Sequence, residues 1–205
     1  MDRDGRLAAR ACLSPAVADP VDPRAAAGAG VTDPLALFHE WVEGQEVALA
    51  TATPDGRPSM RMVLLKSADE RGFTFFSGYD SRKGRELAAN PRAALLFHRP
   101  GIQVRVEGPV ERIPESESDA YWATRPQASR RSAAASAQSQ PIASREELEA
   151  AVAAQPAEPP RPARWGGYRL VPDTYEFWRH RDDRLHERHL FRAREGGWDV
   201  VMLQP

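Results

Sequence analysis

Three short runs with strand-like composition, "EVALATAT", "SMRMVLLK" and "FTFFS", follow one another between residues 46 and 77, separated by only the turn segments "PDGR" and "ADERG". Links this short return a strand antiparallel to its neighbour, because a parallel neighbour needs a crossover of a dozen or more residues. An antiparallel meander is therefore the nucleus to which the rest of the chain must add. Two further strands are expected at "RAALLF" and "IQVRVEGPVERI", and four near the end, at "GYRLVP", "TYEFWRH", "RLHERHLFR" and "WDVVMLQ", the last pair joined by "REGG".

Helices fall between these runs. In "TDPLALFHEWVEG", Asp33 can cap, Pro34 takes the first helical position, Leu35, Phe38, Trp41 and Val42 form an apolar stripe, and Gly44 supplies the stop. "SRKGRELAAN" is closed by Asn90-Pro91. A helix starts near Pro114 and runs through "ESESDAYWATR", and "ASREELEAAVAAQ" carries a capping box, Ser144 with Glu147. "PAEPPRPAR" continues no helix and acts as a stiff connector. About seven strands with inserted helices point to an antiparallel β-barrel of the α+β class. Residues 1–31, almost without large apolar side chains, are expected to form a mobile arm, and residues 32–205 one domain.

Charge excludes some partners. Lys plus Arg number 28 against 29 Asp plus Glu, so no overall field favours nucleic acid or a membrane surface. Cys12 is the single cysteine, no apolar run approaches bilayer length, and the N-terminal sequence lacks the apolar core of a secretory signal. A cytoplasmic protein is the expectation. Dinucleotide, Walker, nucleophile-elbow and H-E-x-x-H motifs are all missing, and the five histidines have no convincing metal spacing.

What remains is a set of cations at element edges. Ser81, Arg82 and Lys83 stand at a helix start, where free N–H groups and the dipole favour an anion. Arg61 is read as opening a strand that Lys66 closes. Tyr121, Arg125 and Ser129 follow at four-residue steps, one helical face if the helix reaches Pro126, and suit a phosphate. "RLHER", read at a period of two, puts Arg184, His186 and Arg188 on one strand face, where three cationic or titratable groups need an anionic partner. The same reading sends His186 and His189 to opposite faces.

In this order and spacing, "RMVLLK", "SRKGRELAANPRAALLF", "QVRVEG", "YWATRP", "QSQPIASREELEA", "WGGYRLVP", "EFW" and "RLHER" resemble the pyridoxine/pyridoxamine 5′-phosphate oxidase family over roughly residues 33 to 205. The resemblance implies an FMN-binding split β-barrel working as a homodimer with flavin at the subunit interface. It implies FMN contacts from Arg61, Met62, Val63, Leu64, Leu65, Lys66, Phe76, Ser77, Arg82, Lys83, Gln103, Gln138, Ser139, Trp178 and Arg188. The vitamin phosphate would meet Lys66, Tyr121, Arg125 and Ser129, with Arg184 and His186 flanking the pyridine ring as the catalytic pair. The implied chemistry is hydride transfer from the substrate's C4′ carbon to flavin N5, with oxygen as final acceptor and hydrogen peroxide as product.

The chain departs from the family pattern in places. Ala134 stands where the family has tryptophan in a Gly-Ala-Trp run, Phe76 replaces a common tyrosine, Met202 replaces a frequent arginine, and the "HRPGI" and "EGQE" links are short. Two other readings share the fold: a phenazine-type or other secondary-metabolite oxidase, and a non-catalytic flavin-binding protein. Lys66 and Trp165-Gly166-Gly167, which phenazine-type oxidases typically lack, are present here.

Overall fold

The structure, a computed structural model, describes residues 33–205, so the arm expected over residues 1–31 lies outside the described residues. In chain order the elements are α1 (Pro34–Trp41), β1 (Glu46–Ala52), β2 (Pro58–Asp69), β3 (Gly72–Gly78), α2 (Arg82–Ala89), β4 (Arg92–Arg99), β5 (Ile102–Arg112), α3 (Glu115–Thr124), α4 (Gln127–Ala135), α5 (Arg145–Ala153), β6 (Trp165–Leu170), β7 (Thr174–Arg179), β8 (Glu187–Arg194) and β9 (Gly197–Met202).

Every strand pairing is antiparallel, and six strands close a ring in the order β1, β2, β3, β6, β5, β4 and back to β1. Strand β5 is shared. Its residues 102–109 pair with β4, residues 102–107 also pair with β7, and residues 110–112 pair with β6. A wing of β7, β8 and β9 extends from it.

Period-two alternation fills the barrel, with Val47, Leu49, Leu95, Val104, Val106 and Leu170 inside. Asp33 caps α1 by accepting from Leu35 N–H, and Pro34 follows at the first helical position. The helix plugs one barrel end with Leu37, Phe38 and Trp41, and the Phe38 ring meets Phe73 and Phe97 edge-on, each at 4.8 Å. No helix among the described residues is long and apolar enough to cross a membrane.

The barrel expectation holds: among the described residues each of the nine runs read as strands contains one, more than the rounded count of about seven, and six of them close the barrel. Four local expectations change. Arg61 and Lys66 both lie inside β2, which runs three residues beyond Lys66 at one end and starts three before Arg61 at the other. Tyr121, Arg125 and Ser129 do not share one helix: α3 stops at Thr124, Arg125 turns to an extended backbone ahead of Pro126, and α4 begins afresh. Helix α4 itself, in "QASRRSAAA", carries no strong periodic signal and was not expected.

"RLHER" is the fourth. Only its last two residues are strand; the first three form a turn in which Leu185 N–H donates to Asp183 Oδ1 and Arg184 adopts a left-handed φ of 66°. The aspartate side chain mimics a backbone turn and overrides strand propensity, so the one-face reading of Arg184, His186 and Arg188 fails. The opposite-face argument for His186 and His189 falls with it.

Candidate functional site

One end of α2 and the facing edge of β2 build a cation cluster. Ser81 caps α2 by accepting from Gly84 N–H, and Lys83 folds back so that its Nζ donates to Ser77 Oγ at 2.9 Å and Ser81 Oγ at 3.4 Å. Gly84 makes this packing possible, because a Cβ there would lie 2.1 Å from the Tyr79 carbonyl oxygen. Burial, reinforced by nearby Arg61 and partly offset by Glu86, pulls the Lys83 ammonium down to about 8.

Arg61 reaches the same place from β2. Its guanidinium donates to Thr51 Oγ1 and Ser59 Oγ, both at 2.6 Å, to Leu49 O at 3.3 Å, and to Glu86 Oε2 at 3.2 Å. Glu86 is 5% exposed and accepts from Thr51 at 2.5 Å, Ser59 at 2.6 Å and Arg82 at 2.9 Å as well. Burial alone would push its carboxyl up, but these donors overcome it and hold it down at about 2.

An aromatic stack forms the next wall. Phe76 lies over Tyr121 at 3.9 Å and beside Trp165 at 5.4 Å, all three rings nearly parallel. Arg125 packs its guanidinium over Trp165 at 4.5 Å and Trp122 at 5.3 Å. Its Nη2 donates to Ser129 O, whereas Nη1 is buried with no hydrogen-bond partner. Burial lowers the Arg125 pKa, though not enough to discharge a guanidinium. Lys66 stands at a β-bulge in the β2–β3 pairing, which re-aims it toward this wall. Its Nζ donates to Gln45 Oε1 and lies 6.0 Å from the Tyr121 ring.

Between cluster and stack lies an open cavity of about 920 Å³. Twelve of the expected site residues line it: Arg61, Met62, Val63, Leu64, Lys66, Phe76, Ser77, Lys83, Tyr121, Arg125, Ser129 and Gln138. Gln138 Oε1 ties the far wall down by accepting from Ser77 Oγ at 3.0 Å and Gly78 N–H at 3.1 Å. Arg164 also lines the cavity, and its Nη2 donates to Ala134 O at 2.5 Å and Ser136 O at 3.5 Å at the C-terminal end of α4.

Eight expected residues do not line this cavity. Leu65 points into the barrel core, and Arg82 lies at the rim, largely exposed and paired with Glu86. Ser139 follows Gln138 with a left-handed φ of 73°. The other five belong to the wing side. Gln103 and Trp178 are cross-strand partners, as are Trp178 and Arg188, and the His186 ring sits 4.8 Å from that of Trp178. Arg188 donates to Glu176 Oε1 at 2.8 Å and to Gln204 O at 3.1 Å, and buried Glu176 takes Arg105 at 2.6 Å on its other oxygen. A second cavity of about 380 Å³ opens there, lined by His186, Leu185 and the C-terminal residues 202–205. His186 Nδ1 accepts the Arg181 backbone N–H at 3.1 Å, which fixes the neutral ring's proton on Nε2. Desolvation, then Arg184 and His180, lower its pKa.

Sequence reasoning missed Glu86, Glu176 and Arg164. Glu86 stands four residues after Arg82 in a helix, a readable pairing signal. Its burial against β1 and β2 leaves no such trace.

The family described as Pyridoxamine 5′-phosphate oxidase matches residues 36–155, and the Pyridoxine 5′-phosphate oxidase C-terminal dimerisation region matches residues 165–205. A pyridoxine/pyridoxamine 5′-phosphate oxidase of Cupriavidus necator is 51% identical over 189 residues, covering 84% of this chain and 89% of its own. One of the same name from Rubrobacter xylanophilus is 52% identical over 190 residues, covering 84% and 87%. Among solved structures, PhzG from Burkholderia lata 383, in complex with tetrahydrophenazine-1-carboxylic acid, superposes with a TM-score of 0.78 at 36% identity, over 85% of this chain and 93% of that one. The chain belongs to the pyridoxamine 5′-phosphate oxidase family.

Proposed function

We propose that the protein oxidises pyridoxine 5′-phosphate, pyridoxamine 5′-phosphate or both to pyridoxal 5′-phosphate, using FMN, with oxygen as acceptor and hydrogen peroxide as product. The observation that carries this reading is the pair of cation sites on one cavity. Arg61 and Lys83 hold one, and Arg125, with a buried unpartnered Nη1 beside three parallel rings, holds the other. Two phosphorylated ligands, one bearing a large flat ring, match that donor set.

FMN fits the residues present. Arg61, Lys83, Ser77 and rim-side Arg82 would take its phosphate; Met62, Val63, Leu64, Phe76, Gln138 and Ser139 would contact the rest of it from this chain, and Leu65, whose side chain is in the core, could offer only its backbone. When bound, it supplies the hydride acceptor. The chain's own residues do the remaining work. Lys66, Tyr121, Arg125 and Ser129 would clamp the vitamin phosphate. His186, its proton on Nε2, can donate to the phenolic oxygen, and Arg184 can press the ring into place. Positioning of this kind acts on turnover as well as on binding.

Gln103, Trp178, Arg184, His186 and Arg188 do not line the barrel-side cavity, so a complete site would take them from a second copy. The match of residues 165–205 to a dimerisation region supports a homodimer with flavin between subunits, as do Met60, Met62 and Leu64, which stand exposed on one face of β2. The Burkholderia structure keeps a phenazine-type substrate in view, but relatives near 50% identity carry the vitamin-oxidase name. Peroxide release from purified protein decides. Release with a phosphorylated B6 vitamer is expected; release only with a reduced phenazine carboxylic acid would hand the site to the second reading, and release with neither would leave a flavin-binding protein.

A further inference from the structure

The cation cluster contains one anion, and its position is unexpected. Glu86 bonds Arg61 without lining the cavity itself, and a buried negative charge so close would by itself repel a phosphate. It is nonetheless ionised, since its donors hold its carboxyl far below the ordinary range. Its contacts form a closed set. Thr51 and Ser59 hydroxyls each donate to Glu86 Oε2 and each accept from the Arg61 guanidinium, while Arg61 also bonds the same oxygen directly. Arg82 takes the other carboxylate oxygen from the rim. A carboxylate whose role was only to anchor α2 would be satisfied by Thr51 and Ser59. This arrangement instead fixes which way one guanidinium points.

Charge leads to the same residue. Arg61, Arg82 and Lys83 crowd one small region, two of them largely buried, and Lys83 releases its proton more readily because of its burial first and of nearby Arg61 second. Among these four groups, three cations and one buried anion leave about two positive charges to face a phosphate monoester, with exposed Asp80 also on the cavity wall. Without the anion the empty site would hold three uncompensated cations, and the exposed one would swing into water.

We propose that Glu86 is the positioning residue of the anion site: by bonding Arg61 and Arg82 before any ligand arrives, it holds the clamp in its binding geometry. Thr51 and Ser59 act with it as the two struts. Preorganisation of this kind raises affinity by removing the ordering cost from the binding step. The inference rests on reading the anion as the FMN phosphate.

Flavin titrations of the apoprotein, followed by fluorescence quenching, test it with FMN and with riboflavin, which lacks the phosphate. Glu86→Ala is expected to weaken FMN at least about ten-fold, the loss of a charge-assisted contact, and to leave riboflavin within about two-fold. Glu86→Gln keeps an oxygen for Thr51, Ser59 and Arg61 but turns a donor toward Arg82, so it should recover FMN affinity only in part, to a level between Glu86→Ala and the parent. Equal losses of FMN and riboflavin, or no loss of either, would overturn the proposal and leave Glu86 a packing residue. Should Glu86→Ala fail to fold, Ser59→Ala asks the same question. It should cost FMN about three-fold or more and riboflavin nothing, and a flat or equal response overturns the proposal. A parent protein that binds riboflavin as tightly as FMN would instead refute the flavin-phosphate reading, independently of any Glu86 variant.

Discussion

Lys83 shows how one buried side chain makes a site sensitive to pH. Its ammonium is held at about 8 against an ordinary 10.5, so the unfolded chain keeps that proton over a range where the folded, empty site has lost it. Stability of the empty protein should therefore gain from this group as pH rises from about 8 toward 10.5. A bound phosphate reverses the sense by holding the proton in place. FMN affinity is expected to fall as pH rises above about 8, by up to about ten-fold per unit for one linked proton, with riboflavin affinity unchanged. Titrations across that range, with riboflavin as control, check it. A second residue-scale expectation concerns His186, whose pKa Arg184 helps to lower. Arg184→Ala should move the imidazole titration upward, as followed by its ring-proton resonances. It should also cut turnover about ten-fold or more while FMN stays bound. These groups were unequally legible. The caps Asp33 and Ser144 read directly from sequence because capping is local, and Ser81 read as a helix start, whereas Glu86 and Glu176 are defined by what other strands bring to them.

Strand β6 leaves no room for a side chain where it backs the aromatic wall. A Cβ on Gly167 would lie 2.3 Å from Ile113 Cδ1 and 2.9 Å from Phe76 Cε1, the ring that stacks on Tyr121. Gly167→Ala should cost about 1–3 kcal/mol of stability, read as a lower Tm, as overpacking usually does. It should also raise KM for the phosphorylated vitamer, because displacing Phe76 disturbs the Tyr121 wall. Period-two alternation made the strands readable, and their short turns made the antiparallel order readable. It could not show the bulge that re-aims Lys66, since an extra residue in one strand looks the same as a longer strand. Nor could it show the turn at Arg184, where the same letters suit a strand equally well.

For the whole molecule, twelve candidate site residues line the barrel-side cavity, and five others gather on the wing side, where His186 lines a second cavity. If each complete site joins the barrel side of one subunit to the wing side of its partner, complementary defects should rescue each other. Co-expressed Arg61→Ala and Arg188→Ala chains, each inactive alone, should regain about a quarter of the parent's activity, because half of random dimers hold one intact site. No regain would place both residues on the same subunit's site. A barrel was legible from the strand count and the short links, but the pair of strands that closes it was not, because β4 and β5 look like any hairpin until β4 also meets β1. Strand β5, bordered by β4, β6 and β7, has a consequence for anyone dividing this chain. The two family-matched segments meet on it, and ending the chain after residue 155 would strip β6 and β7 away, leaving its backbone amides and carbonyls bare beside apolar side chains. Such an edge is a template for pairing with other molecules, so the truncated chain should precipitate where the full one dissolves.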